Sequence, residues 1–115
     1  MDIRNEILSH CERRIAKVPI AQLGQDVYVR SLNEREATDI ELLSIGDNGK
    51  FDRSKVWQTK LASIQYCVCD ESGNRVFTEA DVTKLSEVDS ALIDELYRAC
   101  DDHQKRRTIE AHIKN

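Results

Sequence analysis

Four cysteines and three histidines are the residues of this 115-residue chain best equipped for chemistry. Cys67-Val68-Cys69 and Cys100-Asp101-Asp102-His103 together offer thiols and an imidazole, a donor set that zinc accepts. The Cys-x-Cys pair lacks the wider gap of a zinc knuckle, however. Small buried hydrophobes on a strand and a helix account for Cys67 and Cys100 more simply. We therefore expect no metal site. A cysteine nucleophile needs a base held beside the thiol, and no motif here supplies one. Glycine-rich phosphate loops, Gly-x-Ser-x-Gly elbows and His-Glu-x-x-His pairs are all missing from the sequence. The run Asp70-Glu71-Ser72-Gly73-Asn74 lacks the alternating acidic ligands and closing Glu of a calcium loop. Turn chemistry explains it, because Asp and Asn bond their own backbone and Gly takes left-handed geometry. His10 and His112 read as surface residues near helix ends. The residues thus predict no catalysis, no cofactor and no catalytic residue.

The elements that would position these side chains are legible from periodicity. Ile3, Ile7, Leu8, Cys11, Ile15 and Val18 recur at helical spacing behind a capping Asp2, and Pro19 should end that helix. Arg14 to Ile20 also alternates well enough for a strand, so the two readings compete there. A hairpin follows, with Val18-Pro19-Ile20 as an edge arm and Val27 to Leu32 as the second arm. Asn33 and Glu36 form a capping box for a helix with Ala37, Ile40, Leu43 and Ile45 inward, stopping at Gly46-Asp47-Asn48-Gly49. A helix from near Phe51-Asp52 carries Val56, Trp57, Lys60, Leu61 and Ile64, with Trp57 in the core. Ile64 to Cys69 has strand composition and pairs across the 70–74 turn with Arg75-Val76-Phe77. Thr78 and Asp81 cap a short helix with Val82 and Leu85 inward. The last helix begins at Ser86 or Asp89 and buries Val88, Leu92, Ile93, Leu96, Cys100 and His103. The expected fold is α+β, mostly helical, one compact domain over residues 1–115 with two short β-hairpins. Residues 105–115 then form a flexible or partner-binding extension, where Ile109 and Ile113 continue the apolar stripe as partner-binding candidates.

Composition narrows the function classes. The chain is 40% hydrophobic and 33% charged, the balance of a folded domain rather than a disordered one. A net charge of −4 argues against a general phosphate-backbone binder. A small regulatory nucleic-acid-binding or other protein-interaction domain is the alternative reading, and nucleic-acid binding requires Lys105, Arg106 and Arg107 to join Arg13, Arg14 and Lys17 in one patch. No stretch approaches the roughly 20 apolar residues that cross a bilayer, and the charged N-terminus lacks a signal peptide's apolar run. The expected location is the cytoplasm, where the cysteines stay reduced.

One resemblance rests on two ordered segments. Val27-Tyr28-Val29-Arg30-Ser31-Leu32-Asn33-Glu34-Arg35-Glu36 resembles the Val-x-Val-Arg-x-Leu-(Ser/Thr/Asn)-x-x-Glu segment of phage tail assembly chaperones. About thirty residues on, Ala62 to Thr78 is similar to the second hallmark of that family, an apolar run followed by Asp-Glu-x-Gly-x-x-(apolar)-Phe-Thr, here Asp70-Glu71-Ser72-Gly73-Asn74-Arg75-Val76-Phe77-Thr78. Glu79-Ala80-Asp81-Val82, Leu85 and the Ala91-Leu92-Ile93-Asp94-Glu95-Leu96 helix continue it, so that the likeness spans roughly residues 18–100. The resemblance implies a non-catalytic protein of the bacterial host cytoplasm. Its partners would be the tape measure protein, which it keeps soluble, and tail tube protein, which it helps recruit. It implies no membrane or nucleic-acid partner, and weak self-association is compatible with it. The N-terminal helix and the four cysteines depart from the family pattern.

Overall fold

A computed structural model describes the backbone of residues 2–114 and the side chains of residues 2–105. The first helix, α1, is short, Ile3–Leu8, and Asp2 caps it by accepting from Arg4 N at 3.0 Å. The longer helix expected up to Val18 does not form, and its second half is instead the strand β1, Ile15–Ile20. The strand reading wins because β-branched Ile15, Val18 and Ile20 suit a pleated surface, whereas Pro19 has no N–H to give a helix. With its continuation diverted, the stripe of Ile3, Ile7 and Leu8 has nothing to pack on and is exposed.

Gly24, at φ +66°, turns the chain into β2, Gln25–Arg30, antiparallel to β1 from Ile15↔Arg30 to Ile20↔Gln25. Strand β3, Val68–Cys69, pairs with the other side of β2 through Tyr28↔Cys69 and Val29↔Val68. The sheet order β1-β2-β3 leaves β1 and its Pro19 at an edge, as the missing N–H requires. The second expected hairpin is not a true hairpin. Helix α3, Val56–Cys67, continues helical almost to the 70–74 turn, leaving only two residues for a strand. The return arm is accordingly reduced to an isolated Cys69↔Arg75 bridge.

Helix α2, Glu34–Leu42, carries the predicted capping box. Asn33 Oδ1 accepts from Glu36 N at 2.8 Å, and Glu36 Oε1 accepts from Asn33 N at 3.2 Å. Ile40 is buried and Ala37 half-buried, but Leu43 and Ile45 lie beyond the helix end and are exposed. A 3₁₀ turn, Arg53–Lys55, capped by Asp52, leads into α3. A second one, Glu79–Asp81, leads into α4, Val82–Leu85, with Thr78 N and Oγ1 both donating to Asp81 Oδ2. Helix α5, Ser90–Lys114, starts after Asp89, which accepts from Ala91 N at 2.9 Å.

Helix α5 lies along α3 and across β1 and β2, with α2 and α4 packed on α3. The core is Ile20 and Val29 from the sheet, Leu61, Ile64, Cys67 and Val68 from α3 and β3, Leu85 from α4, and Ile93, Leu96 and Cys100 from α5. Three polar residues fix the register of α5 against the hairpin. Glu95 accepts from Ala21 N and Gln22 N at the β-turn. His103 Nε2 donates to Arg14 O, and Gln104 bridges Leu32 N and Arg30 O. Glu95 and Gln104 thereby satisfy the backbone N–H groups of Ala21, Gln22 and Leu32, and His103 adds a second donor to Arg14 O, which already accepts from Ser31 N.

Candidate functional site

Two features outside the ordinary core stand out, a charge cluster and an apolar groove. The cluster is centred on Glu36, which is 8% exposed. Its Oε2 accepts from Arg30 at 3.0 Å and Arg75 at 3.2 Å, and its Oε1 accepts from Arg13. Arg30 is anchored further by donating to Tyr66 O at 2.8 Å and Gly73 O at 3.4 Å. The Arg75 guanidinium lies 4.0 Å from the centre of the Tyr66 ring, a cation–π contact. Burial raises the carboxyl of Glu36, but the hydrogen bonds from Arg13, Asn33 and Arg75 outweigh it and hold the group below the usual carboxylate value. Burial pulls the Arg30 guanidinium down, and Glu36 opposes that shift.

This arrangement explains the spacing of the two sequence segments. Arg30 and Glu36 lie in the first, while Gly73 and Arg75 sit in the second, and one carboxylate joins them. Gly73 is needed there, because it adopts φ +88° and a Cβ would stand 2.9 Å from Ile15 Cδ1. The cluster is a fastener rather than a reactive site. Both carboxylate oxygens of Glu36 are engaged.

The cysteines do not assemble into chemistry either. Cys67, Cys69 and Cys100 are buried and Cys11 is exposed. Cys67 Sγ lies 3.1 Å from Arg30 O, to which its thiol donates. The Cys100 thiol donates to the Cys67 sulfur, and this bond, with burial, pushes its pKa far up. Burial likewise raises Cys69. The hydrogen bond with Cys100 outweighs burial at Cys67 and draws that thiol below its ordinary value, but all three are enclosed and so out of reach of an electrophile. His103, the fourth candidate zinc donor, spends its Nε2 on Arg14 O. Among the described residues no group of three or more His, Cys, Asp or Glu is gathered to hold a metal ion.

The basic residues needed for a nucleic-acid patch are also committed elsewhere. Arg13 is bound to Glu36 and Ser31 O, and Arg14 donates to His103 O at 3.1 Å. Lys17 pairs with Asp26 at 3.7 Å, and Lys105 with Asp101 at 2.9 Å. The side chains of Arg106 and Arg107 lie outside the described residues, as do those of Ile109 and Ile113, the predicted partner-binding pair.

The apolar groove lies where the first turn of α3 meets the α4–α5 junction, with a volume of about 410 Å³. Leu61, Leu85 and Ile93 are buried beneath it, and Trp57 and Val88 stand at its margins. Lys60 Nζ meets Asp94 Oδ1 at 2.5 Å across one end and lies 5.7 Å from the centre of the Tyr97 ring. Trp57 is 52% exposed, which corrects its assignment to the core. The buried stripe of α3 begins one turn later, at Leu61, where α5 closes on the helix. Val88, expected on the buried face of α5, instead precedes that helix on the connection and is also exposed. A signal for the groove existed in the sequence. Val56 and Trp57 are adjacent, so they lie on different faces of α3, more apolar surface than one packed face requires. No helix among the described residues is long and apolar enough to cross a membrane.

Comparison with known proteins converges on one family. A family model described as phage tail assembly chaperone, TAC, matches residues 10–104. No curated protein matches the chain. A solved structure of the bacteriophage HK97 tail assembly chaperone is similar at 15% identity, with a TM-score of 0.57 over 87% of this chain and 97% of that one. At that identity the likeness is one of fold.

Proposed function

This chain belongs to the phage tail assembly chaperone family, and on that premise we propose that it binds the tape measure protein, keeps it soluble and helps recruit tail tube subunits in the cytoplasm of the bacterial host. The observation that carries the reading is the family match over residues 10–104, which includes the whole Glu36 cluster and all of the described core. The physical character of the chain supports it. A long helical partner exposes apolar stripes before it is enclosed, and stripes of that size drive aggregation. A net charge of −4 on the covering protein resists further association once they are covered. The commitment of Arg13 and Arg14 to internal partners disfavours the nucleic-acid alternative.

The test is co-expression with the tape measure protein of the same phage, measuring the soluble fraction of that partner with and without this chain. A gain in solubility and co-purification of the pair is expected. A folded sample that yields neither refutes the reading. The C-terminal stripe remains a proposed part of the contact, so Ile109→Asp is expected to impair co-solubilisation while leaving the melting temperature unchanged. Full activity in Ile109→Asp would remove Ile109 from the contact.

A further inference from the structure

We propose that the groove at Trp57 takes a single amphipathic helix of the partner, one whose aliphatic stripe is flanked by lysine or arginine. The inference rests on the chaperone reading and adds to it a place on this chain and the chemistry of what fills it.

The groove is apolar at its floor and walls, through Leu61, Leu85, Ile93, Trp57 and Val88. Burying Trp57 and Val88 there gains the hydrophobic stabilisation that the free protein forgoes. Size selects the occupant. Nine residues line the groove, whereas a stable protein–protein interface uses about 20–30 residues a side. A second copy is therefore poorly matched, and one helix inserting a few anchors at successive turns is well matched. Charge selects its flanks. Lys60, the basic residue of the groove, is already met by Asp94. The lip segment Ser86–Ser90 carries two charges, Glu87 and Asp89, both acidic and exposed. Neither has a basic partner among the described residues. Their uncompensated charge favours a helix that brings cations to that side and disfavours one that brings carboxylates.

Trp57 is the only tryptophan in the chain, so the protein carries its own reporter at the site. The probes are two synthetic peptides of about four helical turns, acetylated and amidated, with leucine at helical spacing and either lysine or glutamate elsewhere. With the full chain, the leucine–lysine peptide is expected to shift Trp57 emission to the blue and to saturate. The leucine–glutamate peptide is expected to bind at least about tenfold more weakly. Val88→Asp, a change at an exposed position, should weaken the leucine–lysine peptide by a similar factor although it adds negative charge. Simple attraction to an acidic surface would be unaffected or strengthened by that change. Glu87→Lys/Asp89→Asn, which keeps a side-chain cap for α5, should erase the preference between the peptides. No emission change, equal binding of both peptides, or an undiminished affinity in a folded Val88→Asp variant each overturns the proposal. So does a blue shift that grows with protein concentration alone, which would put a second copy in the groove. Co-solubilisation of the tape measure protein by Val88→Asp separates this proposal from the function. Full co-solubilisation with no peptide binding discards the groove and leaves the chaperone role standing.

Discussion

Replacing Glu36 with Gln removes one charge from a cluster in which three guanidinium groups converge on it, while keeping the side-chain shape. Gln at this position can still accept from Asn33 N, so the capping box survives and the perturbation isolates the charge. The cost depends on which arginines are stranded. The Arg13 and Arg75 side chains are 27% and 35% exposed and can turn towards water, but that of Arg30 is only 10% exposed. Breaking a buried pair by removing one partner costs about 3–5 kcal/mol. Arg30 keeps its bonds to Tyr66 O and Gly73 O, so the expected loss falls below that range, at about 2–3 kcal/mol. Urea unfolding at neutral pH, followed by helical circular dichroism and Trp57 emission, measures it. The pH dependence is the sharper check. The folded-state pKa of Glu36 lies below its unfolded value, so its contribution is full above the unfolded pKa and is lost as pH falls through the folded one. The gap between wild type and Glu36→Gln should thus be constant near pH 7 and close progressively below about pH 4. A difference under about 0.5 kcal/mol at pH 7, or one that does not shrink in acid, would refute the account of the cluster.

Three further outcomes test the fold. Leu96→Ala, at a side chain 6% exposed in the α3–α5 core, should cost about 2–5 kcal/mol in the same urea titration, and a near-neutral result would mean that α5 does not pack there. Gly73→Ala should cost about 1–2 kcal/mol, chiefly from the left-handed backbone, because the Ile15 atom that meets the new Cβ is the terminal methyl of an exposed side chain; an unchanged denaturation midpoint would exclude that turn geometry. With a thiol reagent in native buffer, Cys11 alone should react rapidly and Cys67, Cys69 and Cys100 only after unfolding, and rapid native labelling of a second cysteine would contradict their enclosure.

Local chemistry was readable in the sequence wherever one side chain acts on its own neighbourhood. The Asn33–Glu36 and Thr78–Asp81 caps, the Asp70–Gly73 turn, the edge position of Pro19 and the buried face of α5 all follow from interactions within a few residues. The ordered segments around Arg30–Glu36 and Gly73–Arg75 were likewise enough to expose the family resemblance. Other features depend on what lies opposite a segment, and the sequence does not carry that information locally. Ile15 to Ile20 satisfies both a helical and a strand pattern, and pairing with β2 decided between them. Ile64 to Cys67 has strand composition but stays helical because α5 packs along that length of α3. Trp57 has the character of a core residue and remains half exposed because the α4–α5 junction stands away from the first turn of its helix. Glu36 shows the division within a single residue. Its spacing from Asn33 determines the cap, but Arg13, Arg30 and Arg75 together make it the fastener of the fold, and only tertiary packing brings the distant Arg13 and Arg75 within hydrogen-bonding reach.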